Sequence, residues 1–228
     1  MRVMIISGGS VDDAFALDFL KKNKYDMLIA ADSGMNFLYR NEIVPDVIAG
    51  DFDSVDEAAY AYFAGEESVK KKESDRKGIR PPEILRLNPM KDDTDTEFVI
   101  REAIRRGASS ITVLGGTGTR LDHVIGNIHI LGIGFQEKVQ IELVDAHNRI
   151  RMITGEVHIR KSEQFGQYVS LLPFAGDAKG VTLEGFKYSL ENALMESFCS
   201  LGISNEIENE EAVIRIAEGI LLMIEARD

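Results

Sequence analysis

The chain has 228 residues, enough for one large domain or two modest ones, and its 44% hydrophobic and 28% charged content is ordinary for a globular protein. A formal net charge of -12 argues against a general nucleic-acid binder, which needs a basic footprint to neutralise phosphates. The single cysteine, Cys199, allows no intrachain disulfide. No apolar run approaches a membrane span and the first residues lack a signal-peptide pattern, so the expected location is the cytoplasm, away from membranes.

Arg2 to Ser7 reads as a strand buried on both faces, because its apolar residues do not alternate with polar ones. Gly8-Gly9-Ser10 turns the chain, and Val11 to Lys22 sets Ala14, Leu17, Phe19 and Leu20 near helical spacing. Met27 to Ala31 is a second apolar strand, ending at Asp32-Ser33-Gly34, with a helix from Met35 to Arg40. Val47 to Ala49 is a third strand, running into Gly50-Asp51-Phe52-Asp53-Ser54-Val55-Asp56, and a helix follows to Phe63. Val69 to Pro82 is polar, charged and closed by two prolines, which predicts an exposed loop.

Ile84 to Leu87 is the next strand. Beyond it Lys91-Asp92-Asp93-Thr94-Asp95-Thr96-Glu97 opens a helix that places Phe98, Ile100, Ala103 and Ile104 inside. Ser110 to Leu114 and Ile141 to Val144 are two further strands, separated by a helix from Val124 to about Phe135. This rhythm predicts an α/β domain with a mainly parallel sheet over residues 1–146. Glycine-punctuated, strand-favouring runs follow at Arg149 to Thr154, Glu156 to Arg160, Tyr168 to Pro173, Val181 to Phe186, Ala212 to Ala217 and Ile220 to Ala226. They predict an all-β sandwich over residues 147–228, with a hairpin across Ala217-Glu218-Gly219.

The chemistry gathers at strand ends, the edge of an open α/β sheet where ligands bind. Asp51 and Asp53 sit two residues apart where a strand becomes a loop. Close carboxylates call for a cation, and a hard ion such as Mg²⁺ takes oxygen ligands; a solvated acidic turn capping a helix is the other reading. Asp32 ends its strand in the same way, as a rim carboxylate, a helix N-cap, or both. The acids of the 92–97 run suit a helix dipole, though their density just after a strand exceeds what the dipole asks for. Gly115-Gly116-Thr117-Gly118-Thr119-Arg120-Leu121-Asp122-His123 lets backbone amides approach an anion, with Arg120 as a fork for phosphate oxygens. It lacks the Gly-Lys-Ser/Thr of a P-loop. Ser204-Asn205-Glu206 lies between apolar strands and also fits an ordinary turn.

The ordered set Ala31-Asp32-Ser33-Gly34-Met35-Asn36, Gly50-Asp51-Phe52-Asp53-Ser54, Asp92-Asp93-Thr94-Asp95, the Gly115 to His123 segment and Ser204-Asn205-Glu206 resembles the thiamine pyrophosphokinase family over nearly the whole chain. The resemblance implies an α/β domain that binds ATP and Mg²⁺, a β-sandwich that contributes to a thiamine site, and a homodimer with its active site at the subunit interface. It implies transfer of the diphosphoryl group of ATP to the hydroxyl of thiamine, giving thiamine diphosphate and AMP. Carried residue by residue, it implies that Asp51, Asp53, Asp92 and Asp95 hold the metal, and that these acids and Arg120 carry catalysis. Asp32, Asn36, Thr94, Gly116, Gly118, Arg120, Asp122 and His123 would bind the nucleotide and its metal, and Ser204 and Asn205 would meet thiamine. Ser33, Met35 and Thr119 depart from the residues usual at their positions. Three alternatives share some of these motifs: a diphosphokinase acting on another heterocyclic alcohol such as a pterin, an aspartate-nucleophile phosphatase using Asp51 and Asp53, and a non-catalytic nucleotide-binding module. The Ser204-Asn205 region and the β-rich half favour thiamine.

Overall fold

The computed structural model describes residues 1–64, 81–88 and 93–228. The chain divides into two compact units, Met1–Ala146 and His147–Asp228. Apart from Pro81 and Pro82, the charged segment from Val69 to Pro82 lies outside the described residues, as does Asp92.

In the first unit six strands, β1 (Arg2–Ile6), β2 (Met27–Ala31), β3 (Val47–Gly50), β4 (Glu83–Arg86), β5 (Ser110–Leu114) and β6 (Gln140–Val144), run in the order β6-β5-β1-β2-β3-β4. Every adjacent pair is parallel, as the uninterrupted apolar runs predict. Ile5, Ile6, Ile29, Ala30, Ile48 and Ala49 are fully buried. The chain steps outward from β1 through β4, then returns to the other side of β1 for β5 and β6. That reversal leaves a crevice beyond the C-terminal ends of β1 and β5, the switch point at which ligands bind in this architecture.

Among the described residues five helices connect these strands: α1 (Asp13–Lys22), α2 (Gly34–Arg40), α3 (Glu57–Ala64), α4 (Asp95–Arg105) and α5 (Leu121–Glu137). Asp12 caps α1 by accepting the Phe15 N–H at 2.8 Å, and Lys21 and Lys22 close its negative end. Thr94 caps α4 in the same way, from the Glu97 N–H at 3.2 Å. The buried face of α4 is Thr96, Val99, Ile100 and Ala103, with Phe98 and Ile104 only half-buried. The face is rotated from the one predicted, because a polar residue, Thr96, finds a buried partner in Ser7.

The second unit is antiparallel. β7 (Asn148–Arg160), β8 (Tyr168–Glu184), β9 (Leu190–Met195), β10 (Asn205–Glu206) and β11 (Glu211–Ala226) follow the order β10-β8-β11-β7, with β9 also on β8. Its strands are longer and fewer than the glycine punctuation predicts: three pairs of short runs are single strands, and the expected hairpin across Ala217-Glu218-Gly219 does not form. Continuous β11 instead carries a bulge there, with register shifts between Ile216 and Leu221 against β7 and between Glu218 and Ile220 against β8. Gly219 has φ +102, and a Cβ on it would stand 2.7 Å from the Asp177 carbonyl, so the glycine serves a bulge and not a turn. Residues before and after the bulge, Ile214, Ile216, Leu221 and Met223, enter one apolar core with Val169, Leu171, Val181 and Leu183.

Within this unit Glu225 is fully buried. Its carboxylate accepts two bonds from Arg149, each 2.7 Å, one from Arg151 at 3.0 Å and one from the Phe165 N–H at 3.0 Å. Burial pushes this carboxyl up, but the Arg149 hydrogen bonds and charge, with Phe165 and Arg151, outweigh it and hold the group below its ordinary value of 4.5. A folded value below the unfolded one means a contribution to stability that is complete above about pH 4.5 and is lost as pH falls through the folded value. Removing one partner strands the buried charges, so Glu225→Ala lowers the urea-unfolding free energy at pH 7 by about 3 kcal/mol or more. A loss below about 1 kcal/mol contradicts this account of the pair.

Candidate functional site

A cleft of about 600 Å³ opens over the switch point. Its walls come from four places: the tip of β1 (Ser7 to Ser10), the loops after β2 and β3 (Asp32, Asp51, Ser54), the start of α4 (Asp93 to Thr96), and the loop and helix after β5 (Gly115 to Arg120, His123, Asn127).

Asp32, Asp51 and Asp95 converge at its floor. One carboxylate oxygen from each lies within 4.8 Å of the others, and all three residues are half-buried. Asp32 occupies a left-handed conformation, φ 48, with its N–H donating to the Ala49 carbonyl at 2.8 Å. A non-glycine residue takes this conformation at some cost, and such residues gather at functional sites. Phe52 is also left-handed, φ 65, and its ring lies 5.1 Å from that of Tyr60. Ser54 Oγ donates a short hydrogen bond to Asp32 Oδ2, and Asp51 Oδ1 accepts the Asp53 N–H at 3.1 Å. Asp32 Oδ1 is buried and meets no hydrogen-bond donor among the described residues. A buried carboxylate oxygen without a donor is costly unless a cation completes it. An all-oxygen donor set suits a hard divalent cation such as Mg²⁺, so the residues present fit that ion.

Asp53 is exposed, belongs neither to this cluster nor to the cleft lining, and touches the site through its backbone. The left-handed turn at Phe52 between them sends the Asp51 and Asp53 side chains to different places. Asn36 also stands off the lining; its Oδ1 accepts the Asp56 N–H at 3.1 Å and steadies the acidic loop. Thr94 lines the cleft while capping α4.

Across the cleft, Gly116, Gly118, Arg120 and His123 form the opposite wall. Arg120 is paired with Asp122 through two bonds, of 3.2 and 2.6 Å, and both side chains are exposed. The Arg120 hydrogen bonds hold the Asp122 carboxyl below its ordinary value, so the acid stays charged beside the guanidinium. Such a pair at the surface is easily exchanged for a stronger anion.

Ser204 and Asn205 belong to the second unit. Ser204 is exposed, with φ 58 and its N–H on Ser170 Oγ at 3.0 Å. Asn205 is buried, and its amide is committed to both backbone groups of Tyr188, at 3.0 and 2.8 Å.

Several contributors carry no motif. Gly9 N–H donates to the Gly115 carbonyl at 2.8 Å and Ser10 N–H to the Thr117 carbonyl at 2.9 Å, lacing two loops backbone to backbone. Asn127 Nδ2 holds the Gly116 carbonyl at 2.7 Å, and Thr117 Oγ1 donates to Asp145 at 2.8 Å. Gly8-Gly9 after an apolar strand was the available signal, since consecutive glycines permit close approach as well as a turn.

Comparisons with known proteins converge. The family described as thiamin pyrophosphokinase, catalytic domain, matches residues 20–143, and that described as thiamin pyrophosphokinase, vitamin B1 binding domain, matches residues 154–221. Thiamine pyrophosphokinase of Bacillus subtilis (strain 168) is 33% identical over 207 residues, covering 90% of each chain. A crystal structure of thiamine pyrophosphokinase from Bacillus subtilis matches with a TM-score of 0.82 at 29% identity over the whole of both chains. That of the thiamin pyrophosphokinase from Geobacillus thermodenitrificans matches with a TM-score of 0.80 at 27% identity, covering 100% of this chain and 98% of the other.

The backbone lacing of the cleft is testable at one glycine. A Cβ on Gly9 would lie 2.2 Å from the Thr117 carbonyl oxygen and 2.4 Å from that of Gly115. Gly9→Ala therefore costs about 1–3 kcal/mol of stability in urea unfolding. Gly126→Ala, on α5 with no atom beyond its own helix turn within 4 Å of the new methyl, costs nothing and adds up to about 1 kcal/mol. Equal stability of the two variants would contradict the contact between the loops.

Proposed function

The chain belongs to the thiamine pyrophosphokinase family, and from that premise we propose that it transfers the diphosphoryl group of ATP to the primary hydroxyl of thiamine, giving thiamine diphosphate and AMP. The family membership makes it an enzyme, a thiamine diphosphokinase. The observation that carries the detailed reading is the pairing, in one cleft, of three convergent carboxylates with a glycine-rich, arginine-bearing wall.

The hydroxyl oxygen of thiamine attacks the β-phosphorus and gives its proton to a carboxylate of the cleft, the bond from that phosphorus to the oxygen bridging to the α-phosphate breaks, and AMP leaves. Little covalent work falls to the protein, so positioning and charge stabilisation dominate. Mg²⁺, held by Asp32, Asp51 and Asp95 with Asp92 assigned beside them, would neutralise the triphosphate and polarise the transferred group, while Asp53, whose side chain faces away, would act through its backbone N–H on Asp51. The Gly116 and Gly118 backbone, Thr94, Asn36 and His123 are assigned to the nucleotide. Arg120, released from Asp122 by a phosphate, would stabilise charge on the diphosphoryl group in flight. Ser204 and Asn205 are assigned to thiamine, with Asn205 acting through the turn it builds at Tyr188. The working form is taken to be a homodimer. An aspartate-nucleophile phosphatase leaves the glycine wall without a role, which favours the diphosphokinase.

The decisive assay mixes enzyme, ATP, Mg²⁺ and thiamine and follows AMP and thiamine diphosphate together. One-for-one appearance of both is expected; ATP loss without thiamine diphosphate contradicts the proposal. Asp51→Asn lowers turnover at least about tenfold, the effect of roughly 1.4 kcal/mol on a barrier, whereas Asp53→Asn, which keeps the backbone N–H on Asp51, lowers it less. Unchanged Mg²⁺-dependent turnover in Asp51→Asn removes that residue from the centre, and an equal loss in Asp53→Asn contradicts its outward placement.

A further inference from the structure

In the cleft wall beside the acidic cluster lies a hydroxyl pair to which the proposed reaction assigns no role. Ser7 and Thr96 are 4% and 8% exposed, and their Oγ atoms are 2.6 Å apart although 89 residues separate them in the chain. Ser7 is the first residue beyond β1, and its N–H is fixed to the Leu114 carbonyl at 2.8 Å. It therefore belongs to the rigid centre of the sheet. Thr96 is the second residue of α4 and directly follows Asp95. A buried hydroxyl needs a partner, and each of these supplies the other's. A threonine within a helix commonly bonds back to a carbonyl four residues earlier. In the first turn no helical carbonyl stands there, and the hydroxyl reaches across to the sheet instead.

Resting on the Mg²⁺ reading of the cluster, we propose that the Ser7–Thr96 hydroxyl bond is a positioning device for the metal site. It pins the first turn of α4 to the tip of β1, so that Asp95 is held against Asp32 and Asp51 although the three carboxylates repel. Thr94 caps the same turn through Glu97, but that bond lies within the helix and does not set where the helix stands. The Ser7–Thr96 bond does, because its other end is on the central strand. Groups that orient the ligands of a metal commonly govern its affinity by about ten- to a hundredfold.

The test is Mn²⁺ binding by the full chain without nucleotide, followed through the paramagnetic resonance of free Mn²⁺, with a melting curve of each metal-free variant. Thr96→Val preserves shape and removes the hydroxyl; Thr96→Ser keeps it. Thr96→Val and Ser7→Ala are expected to weaken Mn²⁺ about tenfold, and Thr96→Ser to stay within about twofold of the parent. The double variant Ser7→Ala/Thr96→Val is expected to be no weaker than the worse single one, since both changes break the same bond. In turnover, the Mg²⁺ concentration for half-saturation rises in parallel, while kcat at saturating Mg²⁺ changes less than about threefold. Folded Thr96→Val that binds Mn²⁺ like the parent overturns the proposal, even where its melting temperature falls. Asp51→Asn separates the two levels. If it binds Mn²⁺ like the parent, or the parent binds none, the Mg²⁺ reading itself fails. If Asp51→Asn loses binding and Thr96→Val does not, only the positioning role fails. Should Ser7→Ala not fold, the Thr96 pair of variants carries the test.

Discussion

Three carboxylates within 4.8 Å of one another repel, and the rest of the first unit is arranged to hold them there. Like charges this close repel, and a cation among them reverses the sign of the interaction. No single element could bear the repulsion. The load is divided among the ends of β2 and β3, which are buried strands, and the start of α4, whose helix buries Val99, Ile100 and Ala103. Ile5, Ile6, Ile29 and Ile48 are fully buried beneath the cluster, and parallel pairing fixes the strand ends in register. The left-handed backbones of Asp32 and Phe52 are the local cost of turning two carboxylates inward at consecutive strand ends.

The same topology that gathers the acids supplies the wall opposite. Because the chain reverses direction across β1, the loop after β1 and the loop after β5 emerge side by side with no helix between them. Gly9 and Gly115 exploit that by closing backbone to backbone. Apart from Arg120 and His123 the wall is built of backbone and hydroxyl groups, and Arg120 is balanced by Asp122. An anion entering the cleft therefore meets a repulsive floor that a cation must screen and a wall that can accept it. This division suits a metal-bound polyphosphate better than a free one.

Much of this was legible in the residues. Continuous apolar runs within Arg2–Ile6, Met27–Ala31 and Val47–Gly50 announced parallel strands, because only a sheet covered on both faces tolerates them. Acids and glycines at the ends of those runs then had to share one rim, and the α/β unit followed by antiparallel strands was borne out. What escaped was what depends on contacts between distant segments. Gly155, Gly180 and Gly219 read as strand breaks, yet they serve bulges and bends in long strands, since a glycine's freedom suits either use. The Ser7–Thr96 pair carries no local signal at all: a serine after a strand and a threonine in a first turn are both unremarkable until the fold buries them together. Nor does spacing alone reveal that Asp51 faces the cluster while Asp53 faces out; that depends on the left-handed turn at Phe52 between them.

Whether Asp32, Asp51 and Asp95 form one preorganised cation site is read from a crystal of the protein soaked with Mn²⁺ and a non-hydrolysable ATP analogue, by anomalous scattering. The expected peak is bounded by the carboxylates of Asp32, Asp51 and Asp95, with Asp32 Oδ1 among its ligands and the polyphosphate against Gly116 to Arg120. A peak elsewhere, or polyphosphate bound in the cleft with no metal at these three residues, would contradict such a site.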